Sequence, residues 1–259
     1  MIEYQIESWW WFKLNGLLRW CLVHRVLPND SIVLTEYPKS GGTWIGQMIS
    51  DALKIPFPRN RLPLFRKKQL LHGHYKLTWN IKKPIIVFRD GRDIVVSQYF
   101  HYLIYNEKNK SLVDKHRKYF KVEDYENVAE NLPKFIEYVN NTKYHHFTWS
   151  EFVNSWIKQE NIILTSYEKF RKNPVDELIK VSSLLGQNLS KEEAEIIVDR
   201  YSFKKLSGRK EGEENKNSFL RKGIVGDWKN YFNEESKKVF KQYAGKELIK
   251  LGYEKDLNW

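Results

Sequence analysis

The strongest constraint on the fold is a β-branched, apolar run that stops at a proline and gives way to a helical pattern. Residues 31–37 form this run and Pro38 ends it, which is typical of a strand that leads into a loop. Apolar residues then recur over 44–53 at the spacing of a half-buried helix. The sequence therefore predicts strand, loop and helix over 31–54.

The same alternation occurs twice more along the chain. Residues 85–88 precede an apolar-rich stretch over 92–105, and residues 162–164 precede a helical pattern over 175–185. Alternating strands and helices of this kind form layered α/β structures. Three strand-to-helix units therefore predict an α/β fold with a central parallel sheet flanked by helices.

Two kinds of local pattern lie between these units. Ser190 and Glu193 match a capping box, in which each side chain satisfies a free amide at a helix start. This predicts a helix over 191–200. Polar composition and weak periodicity over 106–150 and 207–218 predict mobile loops around a site.

Composition narrows the environment and the partners. The 259 residues include 44 Lys and Arg against 32 Asp and Glu, a net charge of +12, which favours anionic partners. The length and the lack of an internal repeat predict one domain over 1–259. Cys21 is the only cysteine, which excludes an intramolecular disulfide and a cysteine-based zinc site and fits a cytoplasmic location.

The N-terminal segment 1–30 is rich in tryptophan. Residues 9–27 mix aromatic, leucine and basic side chains, and Lys13 and Arg19 interrupt the apolar run. Neither a signal peptide nor a transmembrane helix is predicted. We expect a helix that packs on the domain or contacts the inner face of a membrane peripherally, and the sequence leaves both alternatives open.

An anion-binding loop is predicted where the first strand gives way to its helix, at Lys39, Ser40, Gly41, Gly42 and Thr43. Glycines there let backbone amides close around an anion, and the helix start adds its positive dipole end. A Walker A loop needs a lysine directly before its Ser or Thr, whereas Gly42 precedes Thr43. A magnesium-dependent NTPase is therefore disfavoured.

Two more segments place cations near a ligand. Arg89 follows the second predicted strand and offers a planar fork for a phosphate, while Ser97 on the next helix offers a hydroxyl. For Arg89 an ion-pair network at the surface is the alternative. Arg221, Lys222 and Gly223 lie in a glycine-containing segment that can fold over a charged ligand.

These segments resemble the signature regions of the PAPS-dependent sulfotransferase family, where PAPS is 3′-phosphoadenosine 5′-phosphosulfate. The resemblance covers about 31–232. Within the family it is greatest to the cytosolic-type sulfotransferase domain, and the chain resembles a bacterial member. It implies a P-loop-like fold, PAPS as co-substrate, PAP as product and no metal. The family loop is PKSGTTW, so Gly42 replaces its first threonine.

The resemblance also implies roles for individual residues. It assigns the 5′-phosphosulfate to the loop from Lys39 to Trp44. It assigns the 3′-phosphate to Arg89, Ser97, Arg221, Lys222 and Gly223, and the adenine to Trp44, Tyr167 and Phe203. An ATP-dependent phosphotransferase would leave this 3′-phosphate clamp empty.

The general base is expected at His74, because related enzymes have Lys-Thr-His where this chain has His72-Gly73-His74. An imidazole that titrates near neutrality can remove the proton of an acceptor hydroxyl. Lys39 would stabilise the charge on the transferred group. The alternative bases are His101, His116, His145 and His146.

The predicted function is in-line sulfuryl transfer from PAPS to an acceptor hydroxyl of a glycan or lipid-linked sugar. A small phenol or alcohol is the alternative acceptor. The segments 55–80 and 104–150 are expected near the acceptor, and the aromatic residues associated with them suit either kind: Trp79, Tyr102, Tyr105, Tyr144 and Trp149. A basic module that binds nucleic acid or membranes is the rival class, although we expect no nucleic-acid partner. Lys238 falls where the family's dimer motif ends in glutamate, so that interface is expected to be absent.

Overall fold

Four parallel strands form the central sheet in the computed structural model, which describes residues 9–64, 66–76, 81–106, 108–142 and 146–259, with only the backbone of 9–12. The strands are β1 (Ile32–Glu36), β2 (Leu70–Gly73), β3 (Ile85–Phe88) and β4 (Ile163–Ser166). Their order is β2-β1-β3-β4, and each neighbouring pair is parallel. The predicted α/β fold with a parallel sheet is confirmed.

Helices flank the sheet. They are α1 (Trp9–Val23), α2 (Gly42–Ala52), α3 (Gly91–Leu103), α4 (Lys110–Arg117), α5 (Val128–Asn141), α6 (Trp149–Trp156), α7 (Tyr167–Lys172), α8 (Pro174–Leu184), α9 (Lys191–Arg200), α10 (Phe203–Ser207) and α11 (Glu234–Lys250), with a 3₁₀ helix at Asp227–Asn230. The predicted helix over 191–200 is confirmed as α9, and both halves of its capping box are formed.

The strands are apolar because both faces of the sheet are covered. In β3, Ile86 and Phe88 pack into the core with α3, α5, α6 and α11, whereas Ile85 and Val87 pack into the core with α2, α8 and α9. Side chains alternate across a strand, so a run of four apolar residues fills two cores.

The strand order reverses direction at β1, which has β2 on one side and β3 on the other. The loops that leave the carboxyl ends of β1 and β3 therefore diverge to opposite faces and leave a crevice between them. Ligands of open α/β sheets bind in such crevices. Lys39 follows β1 and Arg89 follows β3, so both lie at this edge.

The prediction of a mobile loop over 106–150 is wrong, because α4, α5 and the start of α6 lie there. Pro133 lies inside α5 and cannot donate to the carbonyl of Ala129 one turn earlier. The side chain of Asn233 donates to that carbonyl instead, at 3.0 Å. A residue distant in sequence thus satisfies the acceptor that the proline leaves free.

The start of α3 is fixed by a buried arginine. The Arg92 guanidinium lies 3.9 Å from the ring centre of Trp228 and 4.5 Å from that of Trp259. Its nitrogens donate to Asp90 and Glu254. Residues near position 259 thereby support the helix that follows Arg89.

Helix α1 packs on the sheet through its last turn. Leu22 and Val23 are buried in a small core with Val33 of β1 and Leu71 of β2. This end of α1 therefore packs on the domain, which is one of the two alternatives for the helix. Within the described ranges, no helix is both long and apolar enough to cross a membrane.

Candidate active site

The loop between β1 and α2 has a backbone that brings the first turn of α2 to the crevice. Lys39 has φ 78° and Gly41 has φ 88°, both in the left-handed region. A Cβ atom on Gly41 would also lie 2.6 Å from the ring of Tyr167. Glycine is therefore required at position 41, and the loop leaves helix amides placed for an anion.

Two buried polar atoms beside this loop have no hydrogen-bond partner among the residues that the structure describes. They are Oγ of Ser40, whose residue is 0% exposed, and Nε of Arg89. A buried donor without an acceptor is costly, by about 1–3 kcal/mol. Phosphate or sulfate oxygens would satisfy both atoms, so the residues present fit an anionic ligand.

Lys39 supplies the cation of the loop. Burial, with the positive charge of Arg89 acting in the same direction, lowers the pKa of Lys39 to about 8. Its ammonium lies 4.4 Å from the ring centre of Phe219. Lys39 is therefore charged at neutral pH and covered by an aromatic ring rather than by a carboxylate.

Arg89 connects the two strand ends. Its Nη1 donates to the carbonyl oxygen of Lys39 at 2.9 Å, and its guanidinium lies 4.2 Å from the ring centre of Tyr167. Its Nη2 is 3.9 Å from Oδ2 of Asp93. Arg89 thus supports the loop that contains Lys39, and the surface-network alternative does not describe it.

Asp93 is a site residue that the sequence reasoning missed. Its carboxylate is 2% exposed and accepts from the amides of Gly226 and Trp228 at 2.8 and 2.9 Å. It therefore ties α3 to the segment 219–228. Its position four residues after Arg89 was visible in the sequence, but its partners far along the chain were not.

Carboxylates hold the cations of the 219–228 segment. Arg221 forms ion pairs with Glu214 and Asp227. Nζ of Lys222 lies 2.7 Å from Oδ1 of Asp227, which is 3% exposed. Both cations are therefore paired with acidic groups of their own region.

Of the three aromatic residues assigned to adenine, two contact each other and the third contacts Gly223. The rings of Trp44 and Tyr167 meet edge to face at 5.8 Å, and the Trp44 indole donates to the carbonyl of Tyr201 at 2.8 Å. Gly223 has φ 67°, and a Cβ atom on it would lie 2.4 Å from the ring of Phe203. Phe203 therefore packs directly under the 219–228 segment.

A narrow cleft joins the two cationic regions. The structure brings Ser97 into the same lining as residues from both of them: Lys39, Phe100, His101, Asn106, Lys216, Ser218, Phe219 and Arg221. The motifs that the sequence placed near one ligand thus share one cleft. Phe219, which the motifs did not single out, covers it.

Two histidines contact Glu36, a buried residue at the end of β1. Nε2 of His72 is 3.0 Å from Oε1 of Glu36, and Nδ1 of His74 is 3.1 Å from the main-chain oxygen of Glu36. Desolvation lowers the pKa of His74 below its ordinary value, although Glu36 opposes the shift. His74 is therefore neutral at pH 7, as a base must be.

The same three residues are the cluster in the described chain that has the donor types and spacing for a metal ion. Ligand atoms of Glu36, His72 and His74 lie within 4.8 Å of one another. Hydrogen bonds from His72 and from the amide of Gly42 already reach the Glu36 carboxylate. A metal ion would have to displace them, and the expectation of no metal stays a prediction.

The alternative bases lie in other surroundings. His101 contacts the ring of Phe219 at 5.9 Å and lines the cleft. His116 is buried and stacks on Tyr102 at 4.5 Å, and burial lowers its pKa to about 4. His146 lies on the surface, and His145 lies outside the described residues.

The aromatic residues expected near the acceptor also lie in different surroundings. Tyr102 and Trp149 are 3% and 6% exposed and belong to the core. Tyr105 donates to Asp114 at the surface. These three residues therefore do not show an acceptor pocket, and Trp79 and Tyr144 lie outside the described residues.

The fold and the site together define an α/β protein with a cleft lined by basic residues at the switch point of a parallel sheet. A sulfotransferase domain model matches residues 66–252. Sulfotransferase 1B1 of Mus musculus is 30% identical, with 79% of this chain and 78% of that protein covered. The amine sulfotransferase of Oryctolagus cuniculus is 27% identical, with 85% and 81% covered. The chain belongs to the sulfotransferase family.

Solved structures agree on the fold. Mouse sulfotransferase SULT7A1, complexed with PAP, superposes with a TM-score of 0.63 at 22% identity, covering 86% of this chain and 87% of that chain. Retinol dehydratase, in a complex with retinol and PAP, gives 0.63 at 16% identity, covering 87% and 83%. This likeness shows the architecture and leaves the residue roles to the geometry.

Proposed function

We propose that this sulfotransferase takes its sulfuryl group from PAPS and transfers it to an acceptor hydroxyl. The observation that carries the proposal is the buried Ser40 hydroxyl without a partner in the described chain, beside Lys39 and the N-terminus of α2. Two structural relatives were solved in complexes with PAP, which supports a nucleotide donor of this kind.

The residues in the cleft have complementary tasks in this proposal. Lys39 and the amides of Thr43 and Trp44 hold the 5′-phosphosulfate, since the amide of Gly42 already donates to Glu36. The 3′-phosphate is held by Arg89, Ser97, Arg221, Lys222 and Gly223, and the adenine by Trp44, Tyr167 and Phe203. Cations at both ends align the donor, and positioning of this kind contributes up to roughly 7–11 kcal/mol.

The reaction is a displacement at sulfur. The bond from sulfur to the acceptor oxygen forms as the bond from sulfur to the 5′-phosphate oxygen breaks, and PAP leaves. The main-chain oxygen of Glu36 accepts from Nδ1 of His74, so the proton of the neutral imidazole lies on Nδ1. Nε2 of His74 is then the atom that takes the hydroxyl proton. Lys39 stabilises negative charge on the transferred group.

For the acceptor we propose a glycan or a lipid-linked sugar, with a small phenol or alcohol as the second candidate. The surface formed by α1 and residues 59–68 favours an acceptor near a membrane. Leu14, Leu17 and Trp20 of α1 are 45%, 58% and 44% exposed. The side chain of Asn15 donates to the carbonyl of Asn60 at 2.8 Å, so α1 lies beside this segment.

Charge supports the same surface. Residues 59–68 contain five basic and no acidic residues, and all of those basic residues are exposed. Apolar side chains next to a basic segment suit an anionic bilayer. We therefore propose peripheral contact with the inner face of a membrane and a cytoplasmic location.

Calorimetry with PAP, followed by mass spectrometry of reactions with labelled PAPS and a panel of glycans, glycolipids and phenols, tests the reaction. PAP binding and an added sulfuryl group are expected.

His74→Ala should keep PAP affinity and lower turnover by roughly 10²–10⁴, whereas His146→Ala should change neither. Chelation with EDTA should leave turnover unchanged. Tight binding of ATP without binding of PAP would favour a phosphotransferase.

Vesicle flotation tests the membrane contact. The protein should bind phosphatidylcholine vesicles that contain phosphatidylglycerol and should not bind phosphatidylcholine alone. The double variant Leu17→Glu and Trp20→Glu should lose binding. Tyr119 is 75% exposed, so Tyr119→Ser serves as the control. Equal flotation of the wild-type protein and all variants would contradict the proposed membrane contact.

A further inference from the structure

Glu36 contacts both the start of α2 and the histidine pair. It is 4% exposed at the end of β1. Its Oε2 accepts the amide of Gly42, the first residue of α2, and its Oε1 lies 3.0 Å from Nε2 of His72. Its main-chain oxygen accepts from His74. One residue therefore links the anion-binding loop to both histidines.

Gly42 and Glu36 depend on each other sterically. A Cβ atom on Gly42 would lie 2.6 Å from Cδ and 2.8 Å from Oε2 of Glu36. Gly42 has no positive φ, so its backbone would accept another residue. The space that a side chain would need at position 42 is occupied by the Glu36 carboxylate.

The charge of Glu36 requires a partner as well. Burial raises the pKa of its carboxyl, but the hydrogen bond and charge of His72, the charge of His74 and the amide of Gly42 outweigh burial and hold the pKa below its ordinary value. A carboxylate can only accept hydrogen bonds, so Nε2 of His72 carries the proton between them. This hydrogen bond from His72 stabilises the buried carboxylate of Glu36.

We propose that Glu36 is a positioning residue that couples the anion-binding loop to the histidine pair, with Gly42 and His72 as the residues that its side chain requires. Two of the departures from the family pattern, the glycine at 42 and the histidine at 72, then have one cause. The coupling stands on the contacts themselves, and its catalytic consequence rests on the proposed function.

A double-mutant cycle on Glu36 and Gly42 tests the steric part. Gly42→Ala alone should lower the thermal midpoint by several degrees and weaken PAP binding about tenfold. In the Glu36→Ala background, Gly42→Ala should leave PAP affinity within about twofold and raise the midpoint, because alanine favours a helix over glycine. Equal effects in both backgrounds would overturn the coupling.

Gly46→Ala is the matched control. It lies in the same helix, and its Cβ atom would meet the ring of Phe57 at 2.9 Å rather than Glu36. Its effects should be the same with and without Glu36. The thermal midpoint reports the coupling even if the wild-type chain binds no PAP, so failure of the proposed function and failure of the coupling are distinguishable.

A second cycle tests the positioning of the histidines. Glu36→Gln keeps an acceptor for the amide of Gly42 but removes the charge that faces His72. Turnover should fall about tenfold with PAP affinity within about twofold, and His72→Asn should add no further loss in that background. Additive losses from the two substitutions would overturn the link between Glu36 and His72.

Discussion

At the end of β1, the backbone places Lys39 and an aromatic ring covers it, whereas in the 219–228 segment carboxylates hold Arg221 and Lys222. The first region is built from left-handed turns and a helix start and needs no acidic partner for its cation. The second region neutralises its own cations. If both regions hold the donor as proposed, the end at β1 is ready for an anion, while the other end must exchange ion pairs to bind one.

The largest expected effect comes from the region at β1. Lys39→Ala should weaken PAP binding roughly 100- to 1,000-fold, because it removes the cation from a partly buried anion site. Isothermal calorimetry measures the change, and Lys237→Ala on α11 is the control. A loss below about fivefold would contradict a preformed 5′ site.

A smaller and selective effect is expected at the other end. Arg221→Ala should weaken PAP binding about 30-fold, since part of the gain from the phosphate is offset by the ion pairs that it displaces. Adenosine 5′-phosphate has no 3′-phosphate, so its affinity should fall less than about twofold in this variant. Equal losses of affinity for PAP and for adenosine 5′-phosphate would show that Arg221 does not bind the 3′-phosphate.

The two regions should also differ in pH dependence. The pKa of Lys39 is lowered to about 8 in the free protein, so its charge is present below pH 8 and is lost as the pH rises. PAP affinity should therefore fall about tenfold between pH 7 and pH 9. Lys39→Arg should flatten this profile, because arginine stays protonated there. An unchanged slope in that variant would assign the dependence to another group.

The smallest effect tests the ion pairs of the 219–228 segment. Glu214 lies at the surface and pairs with Arg221, so Glu214→Gln should tighten PAP binding about two- to fivefold at low salt. The gain should shrink as the salt concentration rises. Glu213→Gln is the neighbouring control. Weaker PAP binding in Glu214→Gln would mean that the pair positions Arg221 rather than competing with phosphate.

The sequence predicted the parts of this molecule that depend on local pattern. The three strand-to-helix units and α9 follow from periodicity and a capping box, which are properties of neighbouring residues. The helix α5 was missed because its Pro133 is tolerated through Asn233, and β2 was missed because its four residues include none of the β-branched residues that mark the other strands. Both depend on contacts that periodicity does not contain.

In the candidate site, too, local motifs were found and contacts between distant segments were missed. Lys39, Arg89 and Arg221 were found because motifs mark them. Lys39 and Arg221 line one cleft, and Arg89 donates to the main-chain oxygen of Lys39. The links made by Asp93 and Glu36 were missed. Each joins segments that only the folded chain brings together, and a single acidic residue after a strand or in a helix start resembles ordinary surface chemistry.

The stacking of Arg92 between Trp228 and Trp259 has a consequence for synthesis. The ribosome makes β1, its loop and Arg89 early, but the residues that enclose Arg92 and steady the start of α3 emerge late. A nascent chain that stops short of Glu254 would therefore carry the first half of the proposed nucleotide site next to an unsupported helix. Premature termination there should yield a protein that is nearly full length and yet unable to bind its nucleotide.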